Sequence, residues 1–402
     1  MADSNNSLGN GVFNPAYWAR EMQEVFFKEN RAIALANTEL RALLNDGDVV
    51  HKPYRSHLMA KTYTKGSDIT VQDVSGIDSY LTVDTAKVVP FYIDDIDKMQ
   101  NKWDMAAKFA QDSQRVLNNI LDQAILAEHS NATSSVYNAD VGGSGATTTI
   151  PLTTANIFNV FTAAGRKLDY LNMPTDSRFA CLSPRALETL RLSLAGRETG
   201  VGDKVGVNGV IGNRFGFELY ETNNAPFSAS WTPDSGTNPA NGETCIIAGV
   251  TFTFVNSIGS TAGNVLQTTD TATTLANLVL AINGTTAASA TTYVALSDAD
   301  RWKLTNAGVA ATENDTVLSI TGYGDIVLGG STDPWTVQIQ HLLFGVKGAT
   351  DLVVQKSPNV EFRVAEKRLG RYIYPWMMYG KKTFEDMKDA LVDVNIDASS
   401  WT

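Results

Sequence analysis

The chain has 402 residues, of which 43% are apolar and 19% charged, and a net charge of −11. The apolar share excludes wholesale disorder and leaves room for two or three domains, while the acidic balance argues against gripping nucleic acid by its phosphates, though a container for it stays open. Cys181 and Cys245 are too few and too far apart for a disulfide framework or a zinc site, and a reducing compartment is the default.

Residues 1–11 are polar and read as an arm, without the basic and apolar regions of a secretory signal. No apolar run nears the roughly 18 residues that span a bilayer. Asn14 and Pro15 read as the cap and first turn of a helix whose stripe is Tyr17, Trp18, Met22, Val25 and Phe26, packed on the core or offered to a partner. A second helical piece is predicted from Thr38 to Asn45, ending at Asp46-Gly47. From Asp48 the apolar period becomes two. Val49-Val50, Tyr54, Leu58 and Tyr63 run out to a polar tip at Lys65-Gly66, and Ile69–Val71, Leu81–Val83, Val88, Phe91 and Ile93 lead back. So long a two-stranded ribbon, with few residues able to build its own core, is marginal alone in water, and the expectation is that it leans on another molecule.

Asp94, Asp95 and Asp97 offer caps and favourable charge to the longest predicted helix, Lys102 to Ser130. Met105, Phe109, Val116, Ile120 and Ala127 share a narrow arc, flanked by Ala106, Ala110, Leu117, Leu121 and Ala124. Asp104, Lys108, Gln111, Arg115, Asn118, Asn119, Asp122 and His129 lie opposite. Unbroken by Gly or Pro and roughly 40 Å long, it can serve as a spine.

Ala132 to Thr149 reads as a loop and Leu152 to Leu171 as a helix closed by Asn172 and Pro174. Arg178–Leu182 reads as a short buried strand, and Ser183-Pro184 as the start of a helix that stops at Gly196. Gly200, Gly202, Gly206, Gly209 and Gly212, with Lys204 among them, lack the phosphate-loop spacing and a following helix, and read as a surface loop. Phe215, Phe217 and Leu219 alternate in a strand ending at Asn223-Asn224-Ala225-Pro226.

Between Glu221 and Gln340 the bases are Arg301 and Lys303 and the acids number ten, a net −8 of the chain's −11, which predicts a separate small α+β module. Within it Val250–Val255 reads as a strand. Leu275, Leu278, Val279 and Ile282 form a helix stripe closed by Asn283-Gly284, and Trp302–Leu304 and Val317–Ile320 read as later strands. After the apolar, Gly-punctuated run from Val337 to Gln355, Asn359 to Ala365 reads as a strand. Tyr372, Tyr374, Trp376, Met377, Met378 and Tyr379, then Val392, Val394 and Ile396, read as core strands completing the first sheet, with a ligand groove as the other option.

His51, His57, His129 and His341 show no metal-ligand spacing, and no His-Glu-x-x-His, Cys-x-x-Cys or Gly-x-Ser-x-Gly occurs. Asp94-Asp95 and Asp298 with Asp300 are explained as caps and solvated charges. No catalytic, cofactor-binding or metal-binding residue is nominated.

Gly47-Asp48-Val49-Val50-His51-Lys52-Pro53 opens the ribbon, and Ile93-Asp94-Asp95-Ile96-Asp97 leads into the long helix. With Leu182-Ser183-Pro184 and the run from Gly209-Val210-Ile211-Gly212 through Phe217-Glu218-Leu219-Tyr220 to Asn223-Asn224-Ala225-Pro226, these resemble the major capsid proteins of tailed bacteriophages, the HK97-like fold. The resemblance covers roughly 40–225 and 337–397. It implies an α+β fold in five parts: an N-terminal arm and helix (1–45), an extended β-ribbon loop (46–97), the spine helix with peripheral and axial domain (98–225), an acidic insertion domain (226–336), and the remainder of the axial and peripheral domains (337–402).

The resemblance further implies self-assembly into hexamers and pentamers of an icosahedral shell, assembled in the host cytoplasm, enclosing double-stranded DNA without sequence-specific binding. Scaffolding, portal and decoration proteins would be further partners, with no cofactor and no membrane. Some members join subunits through a Lys-Asn isopeptide bond, which nominates Lys61 and Lys65 beside Asn359, with Lys204 as another inter-subunit contact; plain surface residues are the other reading. Two alternatives stay open: an encapsulin-like nanocompartment shell holding protein cargo, and a receptor- or glycan-binding protein acting through the acidic module.

Overall fold

One helix, Met105–Leu126, runs through the molecule as a spine and tightens at its end into a 3-10 segment, Ala127–Asn131. The computed structural model describes residues 28–44, 47–55, 58–69, 71–73, 76–96, 105–195, 213–233, 238–284, 292–330, 335–364 and 369–399. The helix expected after Asn14, His57 and the glycine loop with Lys204 lie outside them.

The spine buries Leu117, Leu121, Ala124, Ile125 and Leu126, whereas Phe109 and Val116 are 39% and 37% exposed. The expected arc is therefore turned by about one residue. Its partners explain the turn: the helix is gripped between the 3-10 segment Ala32–Leu35 and the strands bearing Phe179, Leu343, Met377 and Leu391. The wider buried face takes in Asp122, which the helical period had placed on the polar side. Asp122 tolerates burial because its carboxylate accepts the Ala32 N–H at 2.6 Å and the Asn224 Nδ2 at 2.9 Å.

Against the spine lies an eight-stranded sheet. Its main path runs Ala310–Asn314, Val317–Tyr323, Pro226–Trp231, Val337–Val346, Leu391–Asp397, Ser134–Val136. Val337–Val346 pairs Pro226–Trp231 along its first residues and Arg178–Leu182 along its last, and Glu218–Glu221 pairs Arg178–Leu182 in parallel. Alternation sorts the two faces. Ala180, Leu182, Leu342, Phe344, Val392 and Val394 meet helices Ile157–Tyr170 and Pro184–Ala195, while Phe179, Cys181, Leu343 and Leu391 meet the spine. Strands covered on both sides read as near-continuous apolar runs, which is why Arg178–Leu182 was legible.

The acidic stretch adds strands to this sheet. It also builds a second sheet of Asn264–Leu266, Val250–Val255, Thr244–Ile247 and Leu328–Gly330, which with helix Thr271–Asn283 encloses Trp231, Phe252, Phe254, Leu275, Leu278 and Trp335. The backbone ladder is thus continuous from Val317–Tyr323 through Pro226–Trp231 into Val337–Val346.

A third sheet is a long antiparallel hairpin, Asp351–Val364 with Gly370–Lys382, whose second strand also pairs Thr85–Val88 and Phe91–Asp94. The tail beginning at Arg371 therefore divides: Gly370–Lys382 builds this hairpin, and only Leu391–Asp397 completes the central sheet. In the hairpin Ile373, Met377 and Tyr379 are buried, while Tyr372, Tyr374 and Trp376 occupy the half-buried face, reversing the expectation that those aromatics point inward.

Other expectations shift for local reasons. Thr38–Asn45 shortens to a 3-10 turn, Glu39–Leu43, and the predicted loop after the spine contains Ser134–Val136, made a strand only by docking beside Val392–Val394. Phe215 lies outside its predicted strand at φ 52, in the turn from Arg214 to Phe217. Trp302–Leu304 belongs to a helix, Asp298–Asn306, started by Ser297 Oγ accepting the Asp300 N–H at 3.2 Å.

Candidate assembly surface

The ribbon is built in two short steps. Val49–His51 pairs antiparallel with Tyr80–Thr82, and Tyr54–Arg55 with Gly76–Ile77; at the tip the Ser67 N–H donates to the Thr64 carbonyl at 3.1 Å. Its root is anchored. Val50, Leu81 and Val83 are buried with Leu44, Val353 and Phe384. The hairpin passes so close beneath that a Cβ on Gly380 would collide with the Thr82 carbonyl and Val83 Cα.

Beyond the root the ribbon has apolar side chains without cover. Leu58, Met59, Tyr63, Ile69, Val71 and Ile77 are all exposed, from 62% at Tyr63 to 86% at Val71. So many large apolar side chains exposed on one short segment mark a candidate interaction surface. A second patch lies at the far end of the hairpin, where Phe362, Val364 and Leu369 are exposed.

The same hairpin and Thr85–Val88 form a groove of about 370 Å³ lined by Ala86, Lys87, Val88, Glu361, Arg363, Tyr374 and Trp376. Trp376 Nε1 donates to Glu361 Oε1 at 2.8 Å, and Lys356 Nζ sits 4.5 Å from the centre of the Trp376 ring. The Trp376 hydrogen bond, with the charges of Lys356 and Arg363, holds the Glu361 carboxyl below its usual range. The groove offers a charged rim over aromatic faces, suited to packing.

Lys61 and Lys65 lie exposed on the outer ribbon, Lys65 in the tip turn. Asn359 sits exposed on a different element, the hairpin strand Asp351–Val364, opposite Trp376, and its Oδ1 accepts the Val360 N–H at 2.9 Å. Lys204 lies outside the described residues. Phe362 and Val364 fall in the stretch read from sequence simply as a strand, Asn359 to Ala365, and nothing in that reading told which face is uncovered.

Two buried carboxylates lock the body behind this surface. Asp122 ties the spine to Ala32 and Asn224, and burial pushes its carboxyl above the usual range despite those bonds. Glu128 meets Lys381 Nζ at 2.8 Å and accepts from Thr383 Oγ1 and Asn131 Nδ2. Burial raises Glu128 too, yet the Lys381 charge and these hydrogen bonds outweigh it and leave it below the ordinary range.

The fold also gathers His129, His341 and Asp393, which their sequence spacing gave no reason to associate. The available signal was a charged residue inside the apolar strand Leu391–Asp397. Among the described residues no helix is long and apolar enough to cross a membrane.

No family model matches the chain, and no curated protein does. Solved structures match along almost its whole length. A chain of Mycobacterium phage Che8 superposes with a TM-score of 0.58 at 17% identity, covering 95% of this chain and 96% of that one. The capsid structure of cyanophage P-SCSP1u gives 0.53 at 13% identity over 95% and 93%. The head structure of Helicobacter pylori bacteriophage KHP40 gives 0.52 at 10% identity over 99% and 100%. The mixed α/β fold of this protein is that of phage capsid structures.

Proposed function

We propose that this protein is the major capsid protein of a tailed phage, an HK97-like shell subunit with an acidic insertion domain. Copies would assemble into hexamers and pentamers of an icosahedral shell in the host cytoplasm, enclosing double-stranded DNA without reading its sequence. The reading has no enzymatic component. The observation that carries it is the ribbon: rooted by Val50, Leu81 and Val83 and uncovered beyond them, in a chain with the capsid fold.

Burying an apolar side chain stabilises by roughly 1.5–3 kcal/mol, so six on one ribbon are worth on the order of 10 kcal/mol before ordering costs. Closed symmetry repeats that contact at every subunit. In this reading Lys61 and Lys65 carry the ribbon tip to a neighbour, Asn359 and Lys204 lie at other contacts between subunits, and scaffolding, portal and decoration proteins are further partners.

The test replaces residues 58–73 with a short Gly-Ser linker. A folded monomer that fails to form shells in sedimentation is expected; normal shells would overturn the assignment. Nuclease-protected DNA in purified particles separates this reading from a protein-cargo nanocompartment.

A further inference from the structure

Asp393 is a carboxylate inside an apolar strand, on the face of the central sheet that meets the end of the spine. Two histidines converge on it from separate elements. His341 Nδ1, from Val337–Val346, lies 2.9 Å from Asp393 Oδ2, and His129 Nδ1, from the 3-10 segment Ala127–Asn131, lies 3.4 Å from the same oxygen. The two rings stack, 4.1 Å between centres and 26° between planes, so both Nδ1 atoms approach from one side. The three side chains are only 10–16% exposed.

We propose that His129 Nδ1, His341 Nδ1 and the Asp393 carboxylate bind one divalent transition-metal ion of the zinc class, with water as fourth ligand. Metal–ligand distances of about 2.0–2.1 Å put tetrahedral donor atoms roughly 3.3 Å apart, and the two observed separations bracket that value. All three donors lie within 4.8 Å of one another.

Hydrogen bonding alone leaves the cluster incomplete. His129 Nδ1 is too poorly aligned to bond Asp393, and both it and Asp393 Oδ1 are buried without a hydrogen-bond partner among the described residues. Folded proteins seldom keep such atoms unpaired. An ion between them would engage the histidine nitrogen and the carboxylate together.

The surroundings supply the orienting contact metal-bound histidines usually have. Ser228 Oγ lies 3.0 Å from His341 Nε2. Accepting the Nε2–H, it holds His341 in the tautomer whose Nδ1 lone pair faces the ion. The nearest carboxylate on His129's own segment, Glu128, is engaged with Lys381 and does not compete. Imidazole nitrogens with one carboxylate select zinc, cobalt or nickel over calcium or magnesium, which prefer all-oxygen shells. A bound ion would rivet the last turn of the spine to the two central strands.

The test uses the full chain stripped with a chelator and titrated with cobalt, followed by its visible absorption and then by displacement with zinc. One equivalent per chain is expected, with zinc raising the melting temperature by a few degrees. His129→Gln and His341→Gln should abolish both signals, while His51→Gln, on the ribbon, should leave them intact. Ser228→Ala should weaken binding about tenfold or more. Absence of stoichiometric binding, or binding that survives both ligand substitutions, overturns the site. Should both histidine variants fail to fold in chelator, Ser228→Ala decides, and unchanged affinity overturns it.

Discussion

Asp122 and Glu128 sit six residues apart on one continuous helical segment and respond to pH with opposite signs. The Asp122 carboxyl is raised in the folded state, so the folded chain holds that proton more tightly than the unfolded one, and its contribution declines as pH rises through the carboxylate range. The Glu128 carboxyl is lowered, so its contribution is present above the ordinary carboxylate range and lost as pH falls through it. Glu128→Gln, which strands Lys381, should cost about 3 kcal/mol at neutral pH. Its penalty should shrink in acid, as read from thermal melts of both proteins across pH. Asp122→Ala should cost about 2 kcal/mol at pH 7 by leaving the Ala32 N–H and one of the two Asn224 Nδ2 hydrogens without an acceptor, the other staying on Asn119 Oδ1. Neither carboxylate was legible as a buried group, because a helical period reports which side is mostly apolar and cannot know that Ala32 and Asn224 will arrive with donors. The period did identify Leu117, Leu121 and Ala124 as buried neighbours.

At the scale of elements the ribbon is the part whose stability and function separate. Met59 and Val71 are 72% and 86% exposed, so the double substitution Met59→Ser and Val71→Ser should change monomer stability by less than about 0.5 kcal/mol while assembly, measured by sedimentation, falls sharply. Gly380→Ala should do the reverse, loosening the root in the monomer by forcing the hairpin away from Thr82, with a lowered melting temperature as the readout. Elements with their own punctuation were readable from sequence. Arg178–Leu182 and Val250–Val255 were bounded correctly, and Asn283-Gly284 closes its helix with Gly284 at φ 62. Those that owe their state to a partner were not. Ser134–Val136 is a strand only beside Val392–Val394, and Trp302–Leu304, read as a strand from its aromatic and aliphatic content, belongs to a helix that Ser297 caps. Ser297→Ala should destabilise Asp298–Asn306 by about 1 kcal/mol, seen as faster local hydrogen exchange.

Across the whole molecule the charge is lopsided, with −8 of −11 between Glu221 and Gln340. In the proposed shell those carboxylates would repel packaged phosphates lying within the screening length of about 8 Å, so electron cryomicroscopy of particles should find this part on the outer surface. Density for it in the lumen would contradict that orientation. The charge asymmetry could be counted in the sequence, but the sheet that crosses it could not, since Phe227 and Gln340 pair across a long separation in the chain. That crossing has a mechanical consequence. Val337–Val346 holds Pro226–Trp231 and Arg178–Leu182 end to end along one edge and Leu391–Asp397 along the other. Load passing along these strands between the acidic stretch and the spine therefore meets backbone rungs strained in shear, and in the proposed shell a wall of such plates would answer internal pressure by stiffness in this plane while yielding first at the flaps between neighbours.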